Sequence, residues 1–466
     1  MSFWLNKVYP KLPVFLQNIA ISAFGYTWHN RRFGGIFEKT VAEFKSREFF
    51  SEDEWEIYQT NELRKLLLHA SENVDYYKNI FQELDITKKD IENFSISDIK
   101  KIPFLTKETL RREGKTTLVS KIKEEGADFF ASSGSTGTPT SIMYSYAMHQ
   151  KISALYEARC RHWAGVNYKD ARGMIGGRRV VPDGEGKPPY YRYNFIEKQL
   201  YFSAYHISKN TAIHYFKGIE KHKPVYMTGY AMSNFILAKY FKQLGLKPKG
   251  VKAILTSSEK LTSEMRLVFE EVYNCKVYDA WSGMEWCGLI SENEFGELLY
   301  SPDSALIEFL KPDGTNALPG EEAEVVCTGF LNYDQPLIRY KIGDLVKLSI
   351  HQQTKCGRKF PKIEEIIGRL EDTVIGKDGR EMVRFHAIFL NLPNVLKSQI
   401  IQEKVDEFII NLETTGLTET EKSTIMQRME SQLGKISLQI NEVEKIKVGP
   451  NGKYKAVISK IKNSIN

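Results

Sequence analysis

The stretch VYMTGYAMSNFILAKYFKQLGLKPKGVKAILTSSEKLTSEMRLVFEEVYNCKVYDAW (225–281) decides the fold. Three short apolar runs in it, VYMTGY (225–230), VKAILTSS (251–258) and KVYDAW (276–281), have the length and composition of buried strands. Between the first two, SNFILAKYFKQLG (233–245) carries apolar residues at helical spacing and stops at Gly245. Between the second and third, TSEMRLVFEEVYN (262–274) does the same. Strand, helix, strand, helix, strand implies a parallel sheet with helical crossovers, hence an α/β fold.

Outward from this core the texture changes twice. Upstream, the first hundred or so residues read as helices: Leu63, Leu66, Leu67, Ala70 and Val74 form one stripe, and Thr106 is placed to cap LTKETLRREG (105–114). Downstream of 295, turn signals at KPDG (311–314), LPGEE (318–322) and GKDG (376–379) separate EEAEVVCTGFL, DLVKLSI and KIEEIIG, which implies a curved antiparallel layer. The tail carries strand EFIINLET (407–414), helix 418–434, and strands in SLQINEVEKIKV and YKAVISKI, a unit of the size of a small α+β domain. With 466 residues, the chain exceeds the about 250–300 that one core sustains, so we expect a large domain over 1–370 and a small one over 371–466.

The composition, 42% hydrophobic and 26% charged, is that of a globular protein. The net charge of +7 favours anionic ligands such as nucleotides and is too small and dispersed to imply nucleic-acid binding. Cys160, Cys275, Cys287, Cys327 and Cys356 are scattered, which argues against a disulfide framework and for a reducing cytoplasm. Zinc held by Cys287, Cys327, Cys356 and a distant histidine stays open as a minor alternative. The apolar N-terminus is broken by Pro13, Gln17 and Asn18, too short a span to cross a bilayer. It reads as a helix packed on its own domain; docking on a membrane surface, helped by Trp4, Phe15 and Phe24, is the weaker reading.

Chemistry concentrates in six segments. The run from Ser132 to Thr140 is built from Ser, Thr, Gly and Pro, inside FFASSGSTGTPTSIMYS (129–145). Such a loop offers hydroxyls and free backbone N–H groups to polyphosphate, and it is not a P-loop, since no G-K-[ST] follows. A plain hairpin turn is the bland reading. TSSEKL (256–261), at a strand end, is either a ligand-edge segment or a helix cap. YDAWSGMEW (278–286) sets Glu285 among tryptophans, LIRYKIGDLVKL (337–348) places Asp344 after a glycine, and IIGRLEDTV (366–374) and GPNGKYKAVISK (449–460) follow. Taken singly, Glu285 is a surface acid, Asp344 a turn residue and Lys453 a turn lysine.

In this order and spacing the segments resemble the ANL superfamily of adenylate-forming enzymes, and within it the phenylacetate–CoA ligases and CapK-type proteins associated with capsule and surface polysaccharide synthesis. The likeness runs from IPFLTKE (102–108) to KYKAVISK. It implies that Ser132, Ser133, Gly134, Ser135, Thr136 and Gly137 wrap the ATP phosphates, with Thr140 where many members have lysine. It implies that Ser257, Ser258 and Glu259 border the adenine, that Trp281 stacks near it with Ser282 beside it, and that Glu285 holds Mg2+ on the phosphates. Asp344 would take the ribose hydroxyls and Arg369 ribose or phosphate; Glu371 and Asp372 would form the hinge. Lys453 would swing in to meet the carboxylate and the α-phosphate. Ser282, Met284 and Glu371 depart from the usual Gly, Thr or Ser, and Asp.

The resemblance implies two steps: ATP and a small-molecule carboxylic acid give acyl-AMP and pyrophosphate, then a thiol, amine or sugar acceptor intercepts the acyl group. CoA is the acceptor for phenylacetate-type relatives. The acyl pocket would be bordered by residues 176–208, including Arg178, Arg179, Lys187 and Arg192, with His206, Gly229 and Tyr230 as further walls; a solvated basic loop is the alternative. A noncatalytic nucleotide-binding scaffold, a homodimer, and association with the inner membrane face are compatible with the same residues, and a kinase-type ATPase is disfavoured.

Overall fold

A computed structural model describes residues 8–131, 140–181, 187–257, 261–311, 313–367, 374–376, 381–382, 388–389, 392, 394–414, 416–444, 446 and 457–461. The strands, in chain order, are β1 (Asp128–Ala131), β2 (Ser141–Tyr144), β3 (Arg172–Gly176), β4 (Tyr191–Asn194), β5 (Gln199–Ser203), β6 (Tyr226–Tyr230), β7 (Ala253–Ser257), β8 (Lys276–Trp281), β9 (Ile290–Glu292), β10 (Leu298–Tyr300), β11 (Ala305–Leu310), β12 (Glu322–Gly329), β13 (Tyr340–Leu348) and β14 (Lys362–Ile366). They are followed by β15 (Val374–Ile375), β16 (Glu381–Met382), β17 (Val395–Lys404), β18 (Glu407–Thr414), β19 (Ser437–Glu442) and β20 (Val457–Ser459).

The strands β6, β7 and β8 run parallel, joined by helices Ala231–Gln243 and Ser263–Tyr273, as the alternation over 225–281 implies. Gly245, at φ 66°, takes the left-handed position just past the first helix; Thr262 caps the second by accepting from Met265 N. Both helices and Ala212–His222 pack Tyr215, Phe235, Phe241 and Phe269 against Ile175, Phe202 and Ile254 of the sheet. The expected antiparallel layer is continuous with this sheet. Twelve strands lie in the order β11-β12-β13-β14-β10-β9-β8-β7-β6-β3-β5-β4. The change of direction falls between β8 and β9, where Trp281 pairs with Ile290.

The helical N-terminal region covers the antiparallel half. Leu63, Leu66, Leu67, Ala70 and Val74 are all buried in a core shared with Leu289, Val325, Ile338 and Tyr340. The first described helix, Val14–Phe33, packs its inner face on its own domain. Asn18 accepts from Tyr193 N, Ser22 from Phe195 N, and Arg32 pairs with Glu197. Its outer face leaves Phe15 and Phe24 exposed. Trp4 lies outside the described residues, and no described helix is long and apolar enough to cross a membrane.

The tail forms a separate four-stranded sheet, β19-β18-β17-β20, with helix Glu419–Leu433 and a core of its own around Phe408, Ile410, Ile425 and Met429. Residues 395–404 add a strand that the apolar pattern does not announce, so the unit runs β-β-α-β-β.

Candidate active site

Backbone pairing lines the singled-out residues along one edge of the sheet. Gly176 is level with Ser203, Ile175 with Gly229, Gly229 with Thr256, Tyr230 with Ser257, and Ser257 with Ala280, one residue before Trp281. This is the carboxyl edge of five parallel strands, where open α/β sheets bind ligands. Ser258 and Glu259 lie outside the described residues, as do the loop Ser132, Ser133, Gly134, Ser135, Thr136 and Gly137, then Arg369, Glu371, Asp372 and Lys453. The strands on either side of that loop pair antiparallel, Ala131 with Ser141.

Helix Val14–Phe33 clamps that hairpin. Arg31 donates to the carbonyls of Gly126 and Tyr144, each at 2.8 Å, and to His149 Nδ1 at 3.0 Å. Burial and the neighbouring Arg31 lower the His149 pKa to about 4, so its ring is neutral and can accept.

Two hydrogen bonds join the segments 278–286 and 337–348. Trp281 Nε1 donates to Asp344 Oδ2 at 3.1 Å. Glu285, 7% exposed, accepts through Oε1 from Tyr340 Oη at 2.8 Å. Burial first, and then Glu285, hold the Tyr340 phenol well above its ordinary pKa, so it is a donor. Ser282 Oγ donates back to Gly288 O at 2.8 Å, bracing the turn between β8 and β9. Asp279, beneath Trp281, has its pKa raised to about 7 by burial and then by Glu292. Its Oδ1 accepts from Thr256 Oγ1 at 3.2 Å and from Ala280 N at 3.0 Å.

The acyl-pocket residues divide. His206 is 5% exposed, shares a 2.7 Å hydrogen bond with Ser203 Oγ and stacks on Tyr190. Gly229 has φ 117°, and an added Cβ would sit 2.0 Å from the carbonyl oxygen of Ile175. Tyr230 lies beside Gly177, whose added Cβ would come 2.7 Å from the Tyr230 hydroxyl. Arg178 and Arg179 lie over the rings of Tyr201 and Tyr205. Arg192, expected with them, is instead 2% exposed, bonded to Gln17 Oε1 and the carbonyls of Pro189 and Tyr191. It fastens the first helix to β4.

The zinc alternative is not supported among the described residues, which hold no group of three or more metal-binding side chains. Cys287 and Cys327 do meet, and their hydrogen bond, with burial, pushes the Cys287 thiol up. Cys356 packs elsewhere, beside Trp55, Trp163 and Phe360. Sequence reasoning passed over Tyr340 and Arg339. Arg339 is 6% exposed, grips Glu308 with two donors at 2.9 and 2.7 Å, and lies under Phe104 of the IPFLTKE segment. An arginine and a tyrosine directly after the apolar Leu337–Ile338 pair are the signal that could have found both.

Residues 374–460 match the CapK C-terminal domain family. The chain is 27% identical to Protein CapK of Staphylococcus aureus over 98% of this chain and 100% of that one. It is 25% identical to a phenylacetate-coenzyme A ligase of Thermus thermophilus over 72% of this chain and 76% of the relative. The fold superposes on 2-hydroxyisobutyryl-CoA ligase, in complex with its acyl-AMP and CoA, with TM-score 0.59 and 18% identity, over 90% of this chain and 93% of that one. The chain is thus similar over its length to CapK and, over most of it, to phenylacetate-coenzyme A ligases, and it shares the fold of an acyl-CoA ligase.

Proposed function

We propose that the protein is an AMP-forming acid–thiol ligase. The observation that carries this reading is the pair of bonds, Trp281 to Asp344 and Tyr340 to Glu285, that joins two segments at the carboxyl edge of the parallel strands. The likeness to phenylacetate-coenzyme A ligases supports it.

In this reading the acid's carboxylate oxygen attacks the α-phosphorus of ATP, and pyrophosphate leaves. Asp344 accepts from the ribose hydroxyls; because Oδ2 already receives the Trp281 N–H, one oxygen serves two donors, as a carboxylate can. Glu285, one buried carboxylate, suits a magnesium ion, which takes one or two protein carboxylates and leaves the rest to phosphates and water. Magnesium would supply charge neutralisation on the departing pyrophosphate. Ser132–Gly137 bind the phosphates, Ser257 to Glu259 border the base, Arg369 meets ribose or phosphate, and Lys453 offsets charge in the transition state. The segment 371–466 turns about Glu371 and Asp372 between the two half-reactions. His206, Gly229 and Tyr230 wall the acyl pocket.

CoA is the acceptor we favour; an amine or a sugar hydroxyl would make the protein an amide- or ester-forming ligase. The full-length likeness to CapK supports a place in surface-polysaccharide synthesis. The exposed Phe15 and Phe24 favour work at a membrane face. Carboxylate-dependent ATP–pyrophosphate exchange, over aryl, fatty, amino and uronic acids, tests the reading. Exchange with one acid class that disappears in Lys453→Ala is expected. Folded, ATP-binding protein with no exchange for any acid would favour a noncatalytic scaffold.

A further inference from the structure

Glu285 is held on both sides. Its Oε1 accepts from Tyr340 Oη at 2.8 Å, and both side chains are buried. Its Oε2 folds over Gly283, where an added Cβ would lie 2.5 Å away, so no larger residue fits at 283 without moving the carboxylate. Tyr144 lies within electrostatic reach of the same group. Its side chain is 2% exposed, and its hydroxyl finds no hydrogen-bond partner among the described residues. A buried hydroxyl without a partner is costly, and a cation-bound water beside Glu285 would satisfy this one.

The two tyrosines come from different places. Tyr144 ends β2, on the exit side of the Ser/Thr/Gly loop, and Tyr340 begins β13, the strand that carries Asp344. An unrestrained carboxylate can chelate a cation with both oxygens or rotate to water. A phenol donor on one oxygen removes that freedom and presents the other. Magnesium keeps several of its waters, and such a water is a suitable partner for a buried hydroxyl beside a carboxylate.

We infer that Tyr340 is a positioning residue that fixes Glu285 as a one-oxygen ligand, leaving Oε2 for a divalent cation on the nucleotide phosphates, while the Tyr144 hydroxyl bonds a water of that cation. The inference rests on the reading of Glu285 as the metal-holding acid. A bond kept merely for packing would explain Tyr340 but not the unpartnered Tyr144 hydroxyl.

The test is binding of Mn2+ to the full-length protein with a nonhydrolysable ATP analogue, followed by electron paramagnetic resonance, with thermal melts alongside. Tyr340→Phe should weaken Mn2+ about tenfold, Glu285→Gln at least as much, and the double variant no more than Glu285→Gln alone. Tyr144→Phe removes a hydroxyl with no described protein partner, so the melt should hold while Mn2+ affinity falls about threefold or more. This variant decides the matter should Tyr340→Phe fail to fold. Wild-type affinity in either single tyrosine variant, or additive losses in the double variant, would overturn the inference and leave the ligase reading standing. A Glu285→Gln protein that binds Mn2+ like the wild type would overturn the metal role of Glu285 as well.

Discussion

The indole N–H of Trp281 donates to Oδ2 of Asp344 at 3.1 Å, across the line where the sheet turns from parallel to antiparallel. Trp281 ends the last parallel strand and Asp344 lies within an antiparallel one, so this bond ties the two halves at the candidate ribose site. Hydrogen bonds to charged groups contribute about 1.5–3 kcal/mol. Trp281→Phe keeps the ring and loses the bond. We expect KM for ATP in the exchange assay to rise by about tenfold or more, with a smaller change in kcat; an unchanged KM would show that Asp344 needs no such anchor.

Gly229 tests the close approach of β6 to β3. At φ 117° an L side chain is strained, and its Cβ would meet the Ile175 carbonyl at 2.0 Å, a backbone atom that cannot swing aside. Gly229→Ala should lower stability by about 2–4 kcal/mol, read as a fall in urea midpoint with unchanged slope.

Asp279 predicts a pH dependence. Its folded-state pKa of about 7 stands above the ordinary 3.8, so the folded protein keeps a proton the unfolded chain has released. The stability this contributes is complete below the unfolded pKa and is lost as pH rises through about 7. Asp279→Asn retains the oxygen that accepts from Thr256 and Ala280. The Tm of the wild type should therefore decline relative to Asp279→Asn between pH 5 and 8; parallel Tm profiles would count against it.

Arg339 and Glu308 form a buried two-donor pair. Arg339→Met leaves Glu308 charged and enclosed and should cost about 3–5 kcal/mol, whereas Arg339→Met with Glu308→Leu should recover much of it. Chemical denaturation of both variants separates these outcomes.

The alternation over 225–281 is legible because each element there is apolar on the faces it buries and local caps mark its ends, as Thr262 and Gly245 do. Strand 395–404 is not: Lys397, Gln399, Gln402 and Lys404 break its pattern, and its identity as a strand comes from pairing with β18 and β20. Continuity of the twelve strands likewise depends on Trp281 meeting Ile290, which no local propensity encodes. In the site, residue types with evident chemistry, such as Glu285 and Asp344, stand out in the sequence. Their supports do not, because Tyr340 and Tyr144 resemble core residues until their hydroxyls are placed. Arg192 shows the reverse: a charge in a polar-looking loop that the fold spends on fastening a helix.

Helix Val14–Phe33 is synthesised long before the groups that its Asn18, Ser22, Arg31 and Arg32 bind. Its partners, from Gly126 and Tyr144 to Tyr193, Phe195 and Glu197, follow more than ninety positions later, and translation at about 5–20 residues per second delays the last of them by roughly 10–30 s. During that interval Phe33 and Gly25, buried in the finished protein, face water beside the already apolar Phe15 and Phe24. Until Glu197 is made, the nascent chain offers this apolar segment to chaperones and to other apolar surfaces.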